Sequence, residues 1–164
     1  MEITLNQQEV IPKVKVIRPI NFLFHRTEVK LSDLANQVPM AKEIFKEPVR
    51  LGLHPSSPIH WHYFGFTGDA SKSFTLEIGL PVASVPPDYD GKFHFKRTEV
   101  FKCVSLLHEG SWYDIPKSYD LLMKFIQQHA LQPIGANREI YINAYFVYPE
   151  ANVTDIQIGI SSDE

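Results

Sequence analysis

The chain has 164 residues, of which 44% are hydrophobic and 21% charged, and its formal net charge is −3. This composition is typical of one compact domain with a sizeable core, and nothing in it indicates intrinsic disorder. The weak negative charge argues against a nucleic-acid-binding surface, and the single cysteine, Cys103, excludes an internal disulfide framework. No apolar run is long enough for a membrane span and the start of the chain lacks signal-peptide features, so we expect a cytoplasmic protein.

The first half of the chain predicts a strand, a helix and two further strands. In chain order these cover residues 20–26, 32–47, 58–66 and 73–80. Pro39 either interrupts the helix or begins its main segment, because proline disfavours helical backbone in the residue before it. Residues ~1–18 are expected to form an arm or an extra strand, and residues ~83–91, rich in proline and aspartate, a linker.

The second half predicts the same order of elements. They cover residues 99–108, 114–130, 138–148 and 154–160. Asp114 is placed to cap the helix, and Pro116 falls in its first turn, where a missing amide donor costs nothing. Ile115, Tyr119, Leu122 and Ile126 recur at the spacing of an apolar helix face.

The two halves correspond at a nearly constant separation of about 80 residues. "LGLHP" ending at Pro55 matches "HALQP" ending at Pro133, and "FTLEIGL" matches "VTDIQIGI". We interpret this as one domain over residues 1–164 that contains two duplicated units, ~20–82 and ~92–161. The predicted fold class is therefore α+β: tandem strand–helix–strand–strand units form an antiparallel sheet with helices on one face and a cleft on a pseudo-twofold axis.

The segment "REIYINAYF" (residues 138–146) alternates two kinds of side chain. Ile140, Ile142, Ala144 and Phe146 share one face, and Glu139, Tyr141, Asn143 and Tyr145 share the other. The repeat places Trp61 and Tyr63 on the same face as Glu139. We expect the helices to cover the isoleucine face and the Glu139 face to line an open cleft. Trp112 and Tyr113 either line the mouth of this cleft or cover the start of the helix.

An acid among aromatic rings indicates a pocket for a small cation, since aromatic faces attract cations and a partly buried carboxylate prefers a positive partner. The ligand-binding candidates are Glu139, Tyr141, Trp61, Tyr63, Tyr145, Trp112 and Tyr113. An alternative interpretation is a solvated strand charge beside ordinary half-exposed tyrosines. A third is hydrolysis, with Glu139 as general acid or base and Tyr141 as hydrogen-bond donor, although no second catalytic group is evident.

We predict no cofactor and no metal site. His60 and His62 have the spacing of two metal ligands on one face of a strand, but no third ligand follows at a matching distance.

The second half of the chain resembles a known family. "HEGSW" before the helix, "LQP.G" after it, "REIY" and the final "TDIQIGI" are similar to the gyrase-inhibitor-like (GyrI-like) small-molecule-binding domain, also called the AraC-type effector-binding domain. The resemblance covers residues ~20–160, more loosely in the first unit. It implies the duplicated fold and a central cleft for small, often cationic aromatic molecules. Glu139 matches the acid that lies at the centre of the pocket in this family.

Many members of the family are fused to a DNA-binding helix-turn-helix. Because only ~20 residues precede the first unit, we expect a free-standing sensor or sequesterer that does not bind nucleic acid directly. It would act on transcription through a regulator in trans. The resemblance leaves two alternatives open, a protein-interaction module of the gyrase-inhibitor type and a hydrolase of reactive small molecules.

Overall fold

The computed structural model describes residues 11–162, which form an α+β fold with eight antiparallel strands in one sheet. The strands are β1 (Lys13–Ile17), β2 (Asn21–Val29), β3 (His60–Phe64), β4 (Phe74–Val82), β5 (His94–Arg97), β6 (Phe101–Glu109), β7 (Pro133–Asn143) and β8 (Val153–Ile160). The helices are α1 (Val38–Ile44), α2 (Lys46–Leu51) and α3 (Ile115–Gln128). The predicted fold class is confirmed. Of the predicted arm at residues ~1–18, residues 1–10 lie outside the described part of the chain.

The order of strands shows how the two units join. It is β1-β6-β8-β7-β3-β4-β2-β5, so β3 of the first unit and β7 of the second pair at the centre. At the edges, β1 pairs with β6 and β5 pairs with β2. Each unit is thus preceded by an edge strand that pairs with the first strand of the other unit. This exchange relates the two halves by a pseudo-twofold axis between β3 and β7.

The predicted first helix is divided into three short pieces. A 3-10 segment, Leu31–Gln37, leads into α1, and α2 follows after Phe45. Pro39 lies in the first turn of α1, so it begins the main helical segment. Gly52 ends α2 with a φ of 68°, a left-handed conformation that glycine adopts without steric cost.

The start of α3 differs from the predicted cap. The backbone amide of Tyr113 donates to Ser111 Oγ at 3.2 Å, whereas the side chain of Asp114 makes no capping bond. The Asp114 carboxylate instead forms an ion pair with Lys117 at 3.4 Å. Pro116 lies in the first turn, as predicted. Within residues 11–162, no helix is long and apolar enough to cross a bilayer.

Strand β7 is shifted from its predicted position at residues 138–148. It begins at Pro133, within the segment predicted to be a break, and ends at Asn143. Gly135, with a φ of 81°, lies in an irregularity of the pairing with β8 that lets the strand continue through "PIGAN". At the other end, Asn143 Oδ1 accepts the Val153 amide at 2.7 Å. Asn143 is the last residue of β7, so Tyr145 lies outside the sheet.

The helices cover the face opposite to the one predicted. Tyr119 of α3 donates to Glu139 at 2.7 Å, which places Glu139, not Ile140, on the helix face of β7. The same face carries Ile156, which packs in one core cluster with Leu122 and Ile126 of α3. The alternation of the strand was correct but the choice of face was wrong. Both faces of the central strands are buried, with His62 only 1% exposed on the other side, so polarity alone did not distinguish them.

Candidate ligand-binding site

The two central strands bring the predicted acid and aromatic rings together. Trp61 of β3 is the direct pairing partner of Glu139 of β7, and Tyr63 pairs with Asn137. Because side chains at paired positions project from the same face, Trp61 and Tyr63 share the helix face with Glu139 and Tyr141. The site thus lies at the join of the two units, where the pseudo-twofold axis passes.

Glu139 is buried and held by phenols. The residue as a whole is only 7% exposed. Tyr119 donates to Oε2 at 2.7 Å and Tyr141 donates to Oε1 at 2.8 Å, while the hydroxyl of Tyr63 lies 3.4 Å from that of Tyr141. Among residues 11–162, no lysine, arginine or histidine forms an ion pair with Glu139. The carboxylate therefore accepts hydrogen bonds from neutral phenols and forms no ion pair in the described part of the chain.

Burial governs the protonation of this group. Removal from water raises the pKa of Glu139 above its usual range, against the opposing effects of the hydrogen bonds from Tyr119, Tyr141 and Tyr63 and of the nearby His108. Burial, followed by the charge of Glu139, also raises the pKa of each of the three tyrosines well above the usual value. The phenols consequently stay protonated and act as donors to the carboxylate.

Two tryptophans complete an aromatic wall around the acid. The Trp61 ring packs edge-to-face against the Tyr141 ring, with 5.9 Å between the ring centres. The centres of the Trp112 and Tyr141 rings are 5.8 Å apart. Trp112 also contacts Phe146 at 5.4 Å. We call the set Glu139, Tyr63, Tyr119, Tyr141, Trp61 and Trp112 the Glu139 cluster.

Polar atoms without partners border the Glu139 cluster. Trp112 Nε1 and Thr154 Oγ1 are buried and have no hydrogen-bond partner within residues 11–162, and Thr154 is the pairing partner of Tyr141 in β8. Buried polar atoms are normally satisfied, so this end of the cluster is suited to a bound molecule or water that supplies the missing partners.

Five of the seven predicted ligand-binding residues meet in the Glu139 cluster: Glu139, Tyr141, Trp61, Tyr63 and Trp112. Two do not. Tyr113 is 95% exposed, and Tyr145 lies beyond the end of β7 and is 51% exposed. Sequence reasoning missed Tyr119, which it assigned to the apolar face of α3. A phenol at an otherwise aliphatic position of that face was the available signal.

The two histidines considered as metal ligands lie on the opposite face of β3. His60 Nδ1 is 3.1 Å from His62 Nε2, and burial lowers the pKa of His60 to about 3. Within the described residues there is no group of three His, Cys, Asp or Glu side chains arranged to hold a metal ion.

Comparison with protein families identifies this architecture. The family of GyrI-like small molecule binding domains matches residues 12–161. The chain belongs to this family. Comparison with the sequences of curated proteins gives no significant match.

Solved structures show where else the GyrI-like fold occurs. The C-terminal domain of EcmrR is 17% identical, with a TM-score of 0.74 over 94% of this chain and 99% of that one. In the EcmrR–DNA complex the match has 19% identity and a TM-score of 0.74 over 93% of this chain, which spans 57% of the EcmrR chain. At these identities the likeness concerns the fold.

Two further structures have the same fold. SAV2435 bound to tetraphenylphosphonium matches with 12% identity and a TM-score of 0.65, over 92% of this chain and 94% of that one. A structure described as a hydrolase from Listeria innocua matches with 14% identity and a TM-score of 0.61, over 92% of both chains.

Proposed function

We propose that this GyrI-like domain binds a small cationic or amphipathic aromatic molecule against Glu139. The observation that carries the proposal is a buried carboxylate that has phenol donors and forms no ion pair among the described residues. An ionised carboxyl group is costly to bury unless a charge compensates it. A ligand cation would supply that charge.

The aromatic wall supports the same class of ligand. Tyrosine and tryptophan faces attract a cation by ~0.5–2 kcal/mol per contact, depending on how dry the site is. Tyr119, Tyr141 and Trp112 are each partly exposed, whereas Glu139 is not. A ligand would therefore approach over these rings and reach Glu139 when Tyr119 or Tyr141 rotates. The bound phosphonium cation of SAV2435 and the complex of EcmrR with DNA support a role as a sensor or sequesterer of such cations.

Tetraphenylphosphonium and tetraphenylborate provide a direct test, because the two ions have nearly the same shape and opposite charge. Isothermal titration calorimetry should detect binding of the phosphonium and at least tenfold weaker binding of the borate, a difference of ~1.4 kcal/mol. Equal affinity for both ions would show that the site selects aromatic shape alone and would contradict the proposal.

A matched pair of variants locates the charge. Glu139→Gln should reduce the phosphonium affinity at least about tenfold and remove the preference over the borate. Asp120→Asn makes the same change in net charge at an exposed position of α3 and should leave both unchanged. Undiminished phosphonium binding by Glu139→Gln would place the ligand elsewhere.

A hydrolytic function is the second candidate. Burial raises the pKa of Glu139, which favours a carboxyl group that can hold a proton and act as a general acid, and Tyr141 donates to it. Turnover of an electrophilic ester that Glu139→Gln abolishes and Asp120→Asn preserves would support this function. Phosphonium binding without turnover would support a binding module.

A further inference from the structure

A cavity lies on the sheet face opposite to the Glu139 cluster. Its volume is about 320 Å³, and its polar lining consists of Arg138, His60, Ser56, Ser57, Gln157 and Asp155. Isoleucine side chains of the β1–β2 region and of β7, together with Pro81, form its apolar part. The residue next to Glu139 in the strand, Arg138, therefore faces a different space.

Arg138 is a buried cation without an anionic partner in the described part of the chain. The residue is 8% exposed, and its guanidinium group lies 4.0 Å from the centre of the Phe101 ring. Within residues 11–162 its Nη1 has no hydrogen-bond acceptor, and no ion pair includes it. Apart from the Phe101 ring, this group lacks, among the described residues, the anionic or hydrogen-bonding partners that a buried charge normally has.

The nearby carboxylates are already engaged by other residues. Glu77 forms ion pairs with Arg26 and Lys96. Asp155 accepts hydrogen bonds from Ser105 at 2.6 Å and from Gln157 at 3.0 Å. Neither is available to neutralise Arg138 without breaking existing bonds.

Other groups in the cavity limit the anion that would fit. Gln157 Oε1 is buried and has no donor within the described residues, so a ligand with a hydroxyl group beside its charge would satisfy it. Asp155 lines the same cavity, and its negative charge disfavours a dianion. A guanidinium group binds a carboxylate with two parallel hydrogen bonds.

We propose that this cavity binds a small organic monoanion, a hydroxycarboxylate, with its carboxylate on Arg138 and its hydroxyl group toward Gln157. This site is separate from the Glu139 cluster and goes beyond the proposed function.

L-Lactate tests the proposal, and three other small molecules serve for comparison. Propionate lacks the hydroxyl group, lactamide lacks the charge, and inorganic phosphate adds charge. In ¹⁵N-resolved NMR at constant ionic strength, lactate should shift the Gln157 side-chain amide signals saturably at millimolar concentrations. Propionate should bind more weakly, and lactamide should give no saturable shift. Failure of lactate to produce a saturable shift, or tighter binding of phosphate than of lactate, would overturn the proposal.

Three variants and one control locate the anion. Arg138→Gln should abolish the lactate-induced shift of the Gln157 signals. Arg18→Gln removes an exposed arginine that lies next to the cavity-lining Ile17 in the chain, and it should preserve the shift. Should Arg138→Gln not fold, Ser56→Phe decides the question. It replaces an exposed serine of the lining with a ring that fills the cavity, so it should weaken lactate binding at least tenfold. Unchanged binding by Ser56→Phe would overturn the proposal, and retained binding by Glu139→Gln would separate this site from the cation site.

Discussion

Two glutamates are buried on opposite faces of the central sheet, and they differ in their partners. Glu77 of β4 is 1% exposed and is paired with Arg26 at 2.8 Å and with Lys96. Glu139 of β7 is 7% exposed and accepts hydrogen bonds only from phenols among the described residues. The two side chains are buried to a similar extent, but only Glu77 has cationic side chains that neutralise its charge.

The difference distinguishes a carboxylate that is paired with cations of the chain from the one that we propose as the anchor of a ligand cation. Glu77 is stabilised by two cations of the chain, so another positive group would have to displace one of them. Glu139 forms no ion pair among the described residues, and burial raises its pKa. The sequence singles out Glu139 by its aromatic neighbours, but it does not show which of the two acids is paired with cations of the chain.

The largest expected effect on stability comes from Glu77. Glu77→Gln should lower the free energy of unfolding by about 2 kcal/mol, below the ~3–5 kcal/mol of a fully buried pair because Arg26 is half exposed and can regain water. Glu139→Gln should be neutral or stabilising at neutral pH. Urea unfolding of both variants, with the exposed Glu99→Gln as control, measures the contrast. A larger loss of unfolding free energy in Glu139→Gln than in Glu77→Gln would contradict this prediction.

The phenol donors should have a smaller effect. Tyr119→Phe removes one hydrogen bond to the carboxylate, so it should raise the pKa of Glu139 further and cost about 1 kcal/mol of stability at neutral pH. A ¹³C NMR titration of the Glu139 carboxyl group measures the pKa. Tyr113→Phe removes an exposed hydroxyl and should change neither quantity. An unchanged Glu139 titration in Tyr119→Phe would mean that the phenol does not stabilise the charge.

The pH dependence sharpens the contrast further. Since burial raises the pKa of Glu139 in the folded state, the folded protein binds this proton more tightly than the unfolded chain does. The stability that Glu139 contributes relative to Glu139→Gln is therefore fully present below the unfolded-state pKa. It is lost as the pH rises through the folded-state value.

Phosphonium binding should change in the opposite direction. A cation prefers the ionised carboxyl group, so the affinity should rise with pH over the range in which the stability contribution falls. Calorimetric titrations at several pH values check this, with Glu139→Gln as a pH-independent control. An affinity that is flat with pH in the wild type would exclude proton release from Glu139 on binding.

Much of the fold could be predicted because the chain repeats its own pattern. The two units, the interrupted helix at Pro39 and the four central strands follow from periodicity and from the positions of proline and glycine. The pairing of β1 with β6 and of β5 with β2 could not be predicted, because it joins segments that are distant in sequence and have little pattern of their own. The shift of β7 was missed because Pro133 and Gly135 usually end a strand.

The sequence by itself determined that one strand carries an acid and tyrosines on the same face and that Trp61 and Tyr63 belong with them. Those relations depend on alternation and on the repeat, which are local properties of the chain. The tertiary structure decided which face the helices cover and that Tyr119 donates to Glu139. It also decided that Arg138 faces a separate cavity. These depend on how α3 packs on a sheet whose central strands are buried on both sides, and no pattern within a single strand records that packing.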